Sequence, residues 1–214
     1  MAAIIAQHGD DRGLVLPPRV APIKCVIVPI LYKEKDREEI IGKARGVAET
    51  LNSAGLDTIL DDREEYTPGW KYNEWELRGV PVRIELGPRD MAKGEVTLVR
   101  RDTGERSSTP EHEVVGRVRS LLEDIQANLY SRAKAFLEGM ISEAHSYKEF
   151  RDKIEGKGGF VKACWCGSRE CEDAIKEETG ADIRLIPIEE EKVFSSCIYC
   201  GREAAYVAYF GRAY

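Results

Sequence analysis

The 214-residue sequence is marked first by what it lacks. No apolar run approaches the roughly 20 residues that a membrane-spanning helix needs, so no span is predicted. The short apolar stretch at residues 2–6 has no basic flank before it, which makes the start a poor signal peptide. Without an export or membrane signal, the expected location is the cytoplasm. Histidine is scarce: a zinc-dependent hydrolase needs a metal-bound water and a base, and the scattered His8, His112 and His145 suggest neither. An excess of positive charge is also missing. With 32 Lys and Arg against 38 Asp and Glu the formal net charge is -6, which argues against indiscriminate binding to polyanions. Any such contact must be local: residues 78–106 hold seven Lys or Arg against five acids, whereas 170–192 hold nine acids against three bases. Low-complexity sequence is absent too. At 43% hydrophobic composition this length can bury one or two ordinary cores, and two small domains are expected.

Cysteine is thin over most of the chain and then dense. Cys25 lies in an apolar run, and the other five fall between Cys164 and Cys200. In a reducing compartment such a cluster points to metal rather than to disulfides. Cys166 and Cys171 are followed after 25 residues by Cys197 and Cys200, the shape of a four-thiolate tetrahedral zinc site. Cys164 falls inside the strand predicted at 160–165 and is left out of the ligand set. Four buried free thiols, or a redox dithiol at Cys197 and Cys200, are the competing readings. A closed four-sulfur site has no open coordination position, so the metal would be structural.

The rest reads as alternating strands and helices. A Pro-rich extended segment at 8–22 precedes a buried strand at 25–30. A helix follows Lys33, with Ile40, Ile41, Ala44, Val47, Ala48 and Leu51 on one stripe and Gly55 at its end. A strand at 57–60 gives a parallel pair with the first. The charged run at 61–65 reads as a solvated turn. Pro68 opens a short helix ending near Leu77. Val80, Val82, Ile84 and Leu86 alternate with Pro81, Arg83 and Glu85, the pattern of a strand with one open face, and Gly87-Pro88 is expected to turn the chain with Arg89 and Asp90 at the tip. A strand at 95–101, a mobile hairpin or loop at 102–109 containing Arg106 and a helix starting at Thr109-Pro110-Glu111 follow; the helix stripe continues to Ile141, so its roughly 30 residues would span about 45 Å. Ser146 and Glu149 read as a capping box for a helix ending at Gly156.

Arg83 and Glu85 on one strand face carry a specific chemistry. A guanidinium can donate to the O6/N7 edge of guanine, and a carboxylate can accept from base amino and imino groups. A surface ion pair is the competing reading of the same two residues.

The stretch Glu-Trp-Glu-Leu-Arg-Gly-Val-Pro-Val-Arg-Ile-Glu-Leu-Gly-Pro-Arg-Asp, ending at Asp90, resembles the anticodon-binding domain of class II aminoacyl-tRNA synthetases, within them prolyl-tRNA synthetase of the archaeal and eukaryotic-like type. The segment at 8–22 and the cysteine spacing resemble the same family independently, so the resemblance covers essentially the whole chain. It implies an α/β fold: a mixed-sheet anticodon-binding domain at 23–124 and a small α+β zinc-binding C-terminal domain at 125–214, with 1–22 a remnant of the catalytic domain and a linker. It implies contacts to the guanines of the proline anticodon from Glu76, Arg83, Arg89 and Arg106, the last with the loop shifted by one, Glu105 being the unshifted counterpart. It implies zinc on Cys166, Cys171, Cys197 and Cys200, and a terminal Tyr214 whose carboxylate reaches toward the catalytic site; from its position alone Tyr214 would be edge packing.

The sequence contains neither the first two class II motifs nor the arginine of the third. ATP and Mg are therefore expected only with a catalytic domain outside this chain, residues 2–6 are expected to fray, and the parent enzyme is expected to be a homodimer acting on proline tRNA. The alternative is a freestanding anticodon-domain protein that binds tRNA by itself or as an accessory subunit.

Overall fold

A computed structural model describes residues 2–31, 37–156, 158–189 and 191–213. The chain divides into two compact units, Met1–Ala133 and Lys134–Tyr214. No described helix is long and apolar enough to cross a membrane.

The first unit opens with α1 (Ala2–His8), which buries none of its residues. The chain then turns through a bridge between Asp10 and Gly13 and runs on with Val15 and Leu16 buried. Strand β1 (Cys25–Pro29) is buried along its whole length, as expected of a continuous apolar run covered on both faces. Helix α2 (Arg37–Ser53) buries Ile40, Ala44, Val47, Ala48 and Leu51, the predicted stripe apart from the half-buried Ile41. The helix start expected just after Lys33 falls at residues outside the described ones. Gly55 closes the helix at φ 77°, a left-handed conformation that glycine adopts without cost. Strand β2 (Thr58–Leu60), helix α3 (Pro68–Leu77) and strand β3 (Val82–Leu86) follow close to their predicted bounds.

Two predictions change beyond this point and one alternative is resolved. Gly87 does not make a simple turn but precedes a short helix, α4 (Pro88–Lys93), because the Asp90 carboxylate reaches back to accept from the Gly87 N–H at 2.9 Å. Of the hairpin or loop expected at 102–109 the structure forms the hairpin: strand β5 (Arg106–Pro110) takes up its second half and pairs antiparallel with β4 (Glu95–Arg100). Its residues Arg-Ser-Ser-Thr-Pro carry no apolar alternation, so backbone pairing and polar side-chain bonds, such as Ser108 Oγ to Glu95 at 2.7 Å, define it. Thr109 therefore lies buried opposite Val96 and caps no helix; a 3-10 turn at Glu111–Glu113 leads instead into α5 (Val114–Gly139).

The first sheet has the order β2-β1-β3-β4-β5, with β1 parallel to β2 and β3 and the last two strands antiparallel. On one face Ile27, Ile84 and Leu98 pack with α2 and α5 through residues such as Leu51, Leu121 and Ile125. On the other, Val26 and Val28 meet Trp75 and Val80, so α3 covers the β1 side of that face.

Helix α5 has 26 residues and stops short of the predicted Ile141. Ile141 begins strand β6 (Ile141–Glu143), parallel to β7 (Phe160–Trp165), and the Met140 carbonyl accepts from Phe160 N at 2.8 Å. The strand captures residues that the helical stripe also fitted. Between β6 and β7 lies α6 (Tyr147–Glu155), capped by Ser146, whose hydroxyl accepts from Glu149 N at 3.3 Å. The Glu149 carboxylate returns to His145 N rather than to the cap residue. Gly159 is required where it stands: at φ 92° any Cβ would sit 2.3 Å from the Met140 oxygen. Helix α7 (Arg169–Thr179), β8 (Ala181–Leu185) and β9 (Tyr206–Arg212) complete a second mixed sheet of order β6-β7-β9-β8. Phe150 and Phe210, edge to face at 5.1 Å, fill its core with Ile175.

Candidate functional site

The sheet alternation brings distant residues into rows. Arg83 pairs with Val99 and Val99 with Arg106, while Glu85 pairs with Thr97 and Thr97 with Ser108. Residues opposite one another point to the same face, so two arginines of β3 and β5 share a face with Glu85 between them. Helix α3 borders this patch and ends beside it with Glu76.

Glu85 is 2% exposed. Its Oε1 accepts from Arg83 Nε and from Arg106 Nη1, both at 3.1 Å, and its Oε2 accepts from Arg106 Nη2. Arg83 Nη1 donates to Glu76 Oε1 at 2.7 Å, and the guanidinium lies 4.1 Å from the centre of the Tyr72 ring. Glu76 Oε2 is 3.7 Å from Arg12. Three of the four residues predicted to face RNA, Glu76, Arg83 and Arg106, thus belong to one ion-pair network together with Glu85, the carboxylate that the sequence pairs with Arg83, and with Arg12 at its edge. Glu105 precedes β5, exposed, and takes no part in the network. Arg89 stands apart in the first turn of α4, exposed and without a side-chain partner among the described residues.

The expectation that Arg83 and Glu85 both project from an open face needs correction. Their side chains are 11% and 3% exposed. Arg83 is sheltered by Tyr72 and Glu76 of α3, and Glu85 lies under the two guanidiniums. The period-two pattern identifies a face correctly but does not reveal that a helix covers half of it.

What holds α3 in place was read as a solvated turn. Asp61 is in fact 3% exposed: it accepts from the Trp75 indole at 2.7 Å and twice from Arg63 at 2.8 Å, with Lys71 Nζ at 3.7 Å. Burial opposes ionisation of this carboxyl, but the Arg63 and Trp75 hydrogen bonds and the Lys71 charge outweigh it and hold the group at about 2. At the other end of the helix Arg101 donates from Nε to the Glu76 carbonyl at 3.1 Å and makes a two-pronged pair with Asp10 at 2.6 and 2.7 Å. The Arg101 hydrogen bond holds the Asp10 carboxyl at about 2. Residues 91 positions apart therefore fix the backbone that presents Glu76.

The second unit holds the cysteines. Cys166 follows β7, Cys171 lies on α7, and Cys197 and Cys200 flank a turn closed by the Gly201 N–H on the Cys197 carbonyl at 3.0 Å. All four sulfurs lie within 4.8 Å of one another, with Cys166 at 3.7 Å from Cys171 and 3.8 Å from Cys200. Four sulfurs about 2.3 Å from a central ion would stand about 3.8 Å apart, so the cluster fits a tetrahedral soft-metal site. The two pairs differ in setting, since Cys171 is helical whereas Cys197 and Cys200 flank a turn. Cys164 is buried in β7 opposite Val207 and outside the cluster, in line with its omission. Arg202 Nε donates to Cys200 Sγ at 3.4 Å and holds that thiol down to about 6, whereas burial pushes the Cys171 thiol up to about 12. Tyr214 lies outside the described residues.

Two family models match these units: residues 24–121 match the anticodon binding domain and 147–214 the prolyl-tRNA synthetase C-terminal domain. Over all 214 residues the chain is 47% identical to the proline–tRNA ligase of Oceanobacillus iheyensis and 45% identical to that of Cenarchaeum symbiosum. It is 43% identical to proline–tRNA ligase 2 of Clostridioides difficile. In each case it spans 44% of the relative's length. With both domains matched in that order and the identity sustained along the whole chain, the protein belongs to the prolyl-tRNA synthetase family as a part carrying its anticodon-binding and C-terminal domains.

Proposed function

We propose that this chain is the anticodon-reading part of a proline–tRNA ligase, the enzyme that attaches proline to its tRNA at the expense of ATP. One observation carries the reading: Glu76, Arg83 and Arg106 meet around Glu85 on one sheet face of a domain that matches the anticodon-binding family. Fixed guanidinium donors suit the O6 and N7 acceptors of guanine, and the Glu76 carboxylate suits its imino and amino hydrogens. Arg89, free of side-chain partners among the described residues, supplies a further cation at the edge of the patch. Proline tRNA is the partner. Attachment chemistry, with ATP and Mg2+, belongs to the share of the relatives' length that this chain does not span.

The same proposal takes the functional boundaries as 23–124 and 125–214, with 1–22 belonging to the catalytic body. It gives Cys166, Cys171, Cys197 and Cys200 one structural zinc ion, makes the full enzyme a homodimer and locates it in the cytoplasm. A nuclease footprint of the chain on proline tRNA tests the reading. Protection confined to the anticodon stem and loop is expected, and protection of the acceptor end alone would overturn it.

A further inference from the structure

Glu85 is the most enclosed charged member of the Arg83 network, and its burial decides what it can do. At 2% exposure its carboxylate cannot meet a base directly. Its oxygens are already engaged by Arg83 Nε and by both terminal nitrogens of Arg106. Arg83 also gives Nη1 to Glu76. Among the described residues, this leaves Arg83 Nη2 and Arg106 Nε as the unspent nitrogens of the two forks. Long arginine side chains sample many rotamers, and two cations side by side repel; a carboxylate bonded to both removes each difficulty. The four groups Glu76, Glu85, Arg83 and Arg106 also sum to zero charge, with the exposed Arg12 beside Glu76 adding one positive charge at the rim. Recognition at the patch then rests on the direction of fixed donors rather than on attraction for any polyanion.

We propose that Glu85 is the positioning residue of the anticodon interface, a role that rests on the anticodon-reading function proposed above. It touches no RNA itself. It holds Arg83 and Arg106 so that their remaining donors face guanine acceptors, and it cancels charge that would otherwise attract every RNA. Two consequences separate this role from general structural support. Losing the carboxylate lowers selectivity without weakening non-cognate binding, and the loss disappears once the two arginines are gone.

The experiment uses the full chain as the parent, Glu85→Gln, Arg83→Ala/Arg106→Ala and the triple variant. It compares binding to proline tRNA with binding to the same tRNA carrying a substituted anticodon, and follows the arginine Nε–H signals by NMR. Glu85→Gln is expected to reduce the cognate preference about 10-fold, with binding to the substituted tRNA unchanged or tighter and with ordered Nε–H signals of Arg83 and Arg106 lost. Adding Glu85→Gln to the double variant is expected to change the preference by less than about 2-fold. If Glu85→Gln does not fold, Glu85→Asp keeps the charge and shortens the reach, and the same loss of order and preference is expected. An unchanged preference, equal weakening toward both tRNAs, or an undiminished loss in the arginine-free background would each overturn the role. A parent with ordered Nε–H signals but no cognate preference would instead overturn the anticodon-reading function.

Discussion

Arg83 and Glu85, two positions apart on β3, are joined by a hydrogen bond of 3.1 Å from the guanidinium Nε to the carboxylate Oε1. The partners are 11% and 3% exposed, so this is an enclosed pair rather than a surface one. Burial changes what the arginine contributes: it serves folding as well as recognition.

Replacing Arg83 with Ala is accordingly expected to destabilise the first unit. Glu85 would keep Arg106 as a partner, so the loss falls below that of a fully orphaned buried charge, at about 1–3 kcal/mol. Urea unfolding followed by tryptophan fluorescence in a Trp165→Phe background measures it. A loss below about 0.5 kcal/mol would mean that Arg83 behaves as an exposed surface arginine.

Arg89 should behave differently. Because it is exposed without a side-chain partner among the described residues, Arg89→Ala should leave stability within about 0.5 kcal/mol while weakening tRNA binding. Arg89→Lys should retain most of that binding, since a point charge suffices there, whereas Arg83→Lys cannot reproduce two directed bonds and should not. Equal tolerance of lysine at both positions would contradict this division.

Acid should loosen α3 through Asp61. Its carboxyl is held at about 2 against an ordinary 3.8, so it contributes stability that is complete above about 3.8 and is lost as the pH falls from there toward 2. The depression of nearly two units corresponds to about 2 kcal/mol. Asp61→Asn should lower stability at pH 7 and flatten the dependence between pH 4 and 2, as read from urea midpoints across that range. An unchanged acid slope in the variant would remove Asp61 from this role.

Metal analysis of the purified chain should find about one zinc per chain, and Cys166→Ser or Cys200→Ser should lose the metal and unfold the second unit, because binding at a structural site is largely folding free energy. Cys164→Ser should keep the metal, since Cys164 lies outside the sulfur cluster. Retention of zinc by the Cys166 variant together with its loss from the Cys164 variant would reverse the ligand assignment.

The sequence made much of this legible wherever a residue's pattern and its surroundings agreed. The continuous apolar run at β1, the stripe of α2, Pro68 at the start of α3 and Ser146 at the start of α6 each declared its element through local chemistry. The cysteine spacing placed four sulfurs together because short connections leave few ways to arrange them. The choice between hairpin and loop at β5 stayed open because Arg-Ser-Ser-Thr-Pro has no apolar period, and β6 was hidden because Ile141 fits a helical stripe as well as a strand. The burial of Asp61 and Glu85 was hidden for a different reason. Their partners Trp75, Lys71 and Arg106 lie 10 to 21 residues away, and a local reading treats an acidic side chain as solvated by default.

The most direct test of the account is the affinity of the chain for proline tRNA measured against the same tRNA with its anticodon guanines replaced, at two salt concentrations. Base reading by the Arg83 patch predicts a preference for the cognate tRNA of about 10-fold or more, with most of it preserved at the higher salt. Equal affinity for the two tRNAs, falling together as salt rises, would contradict it.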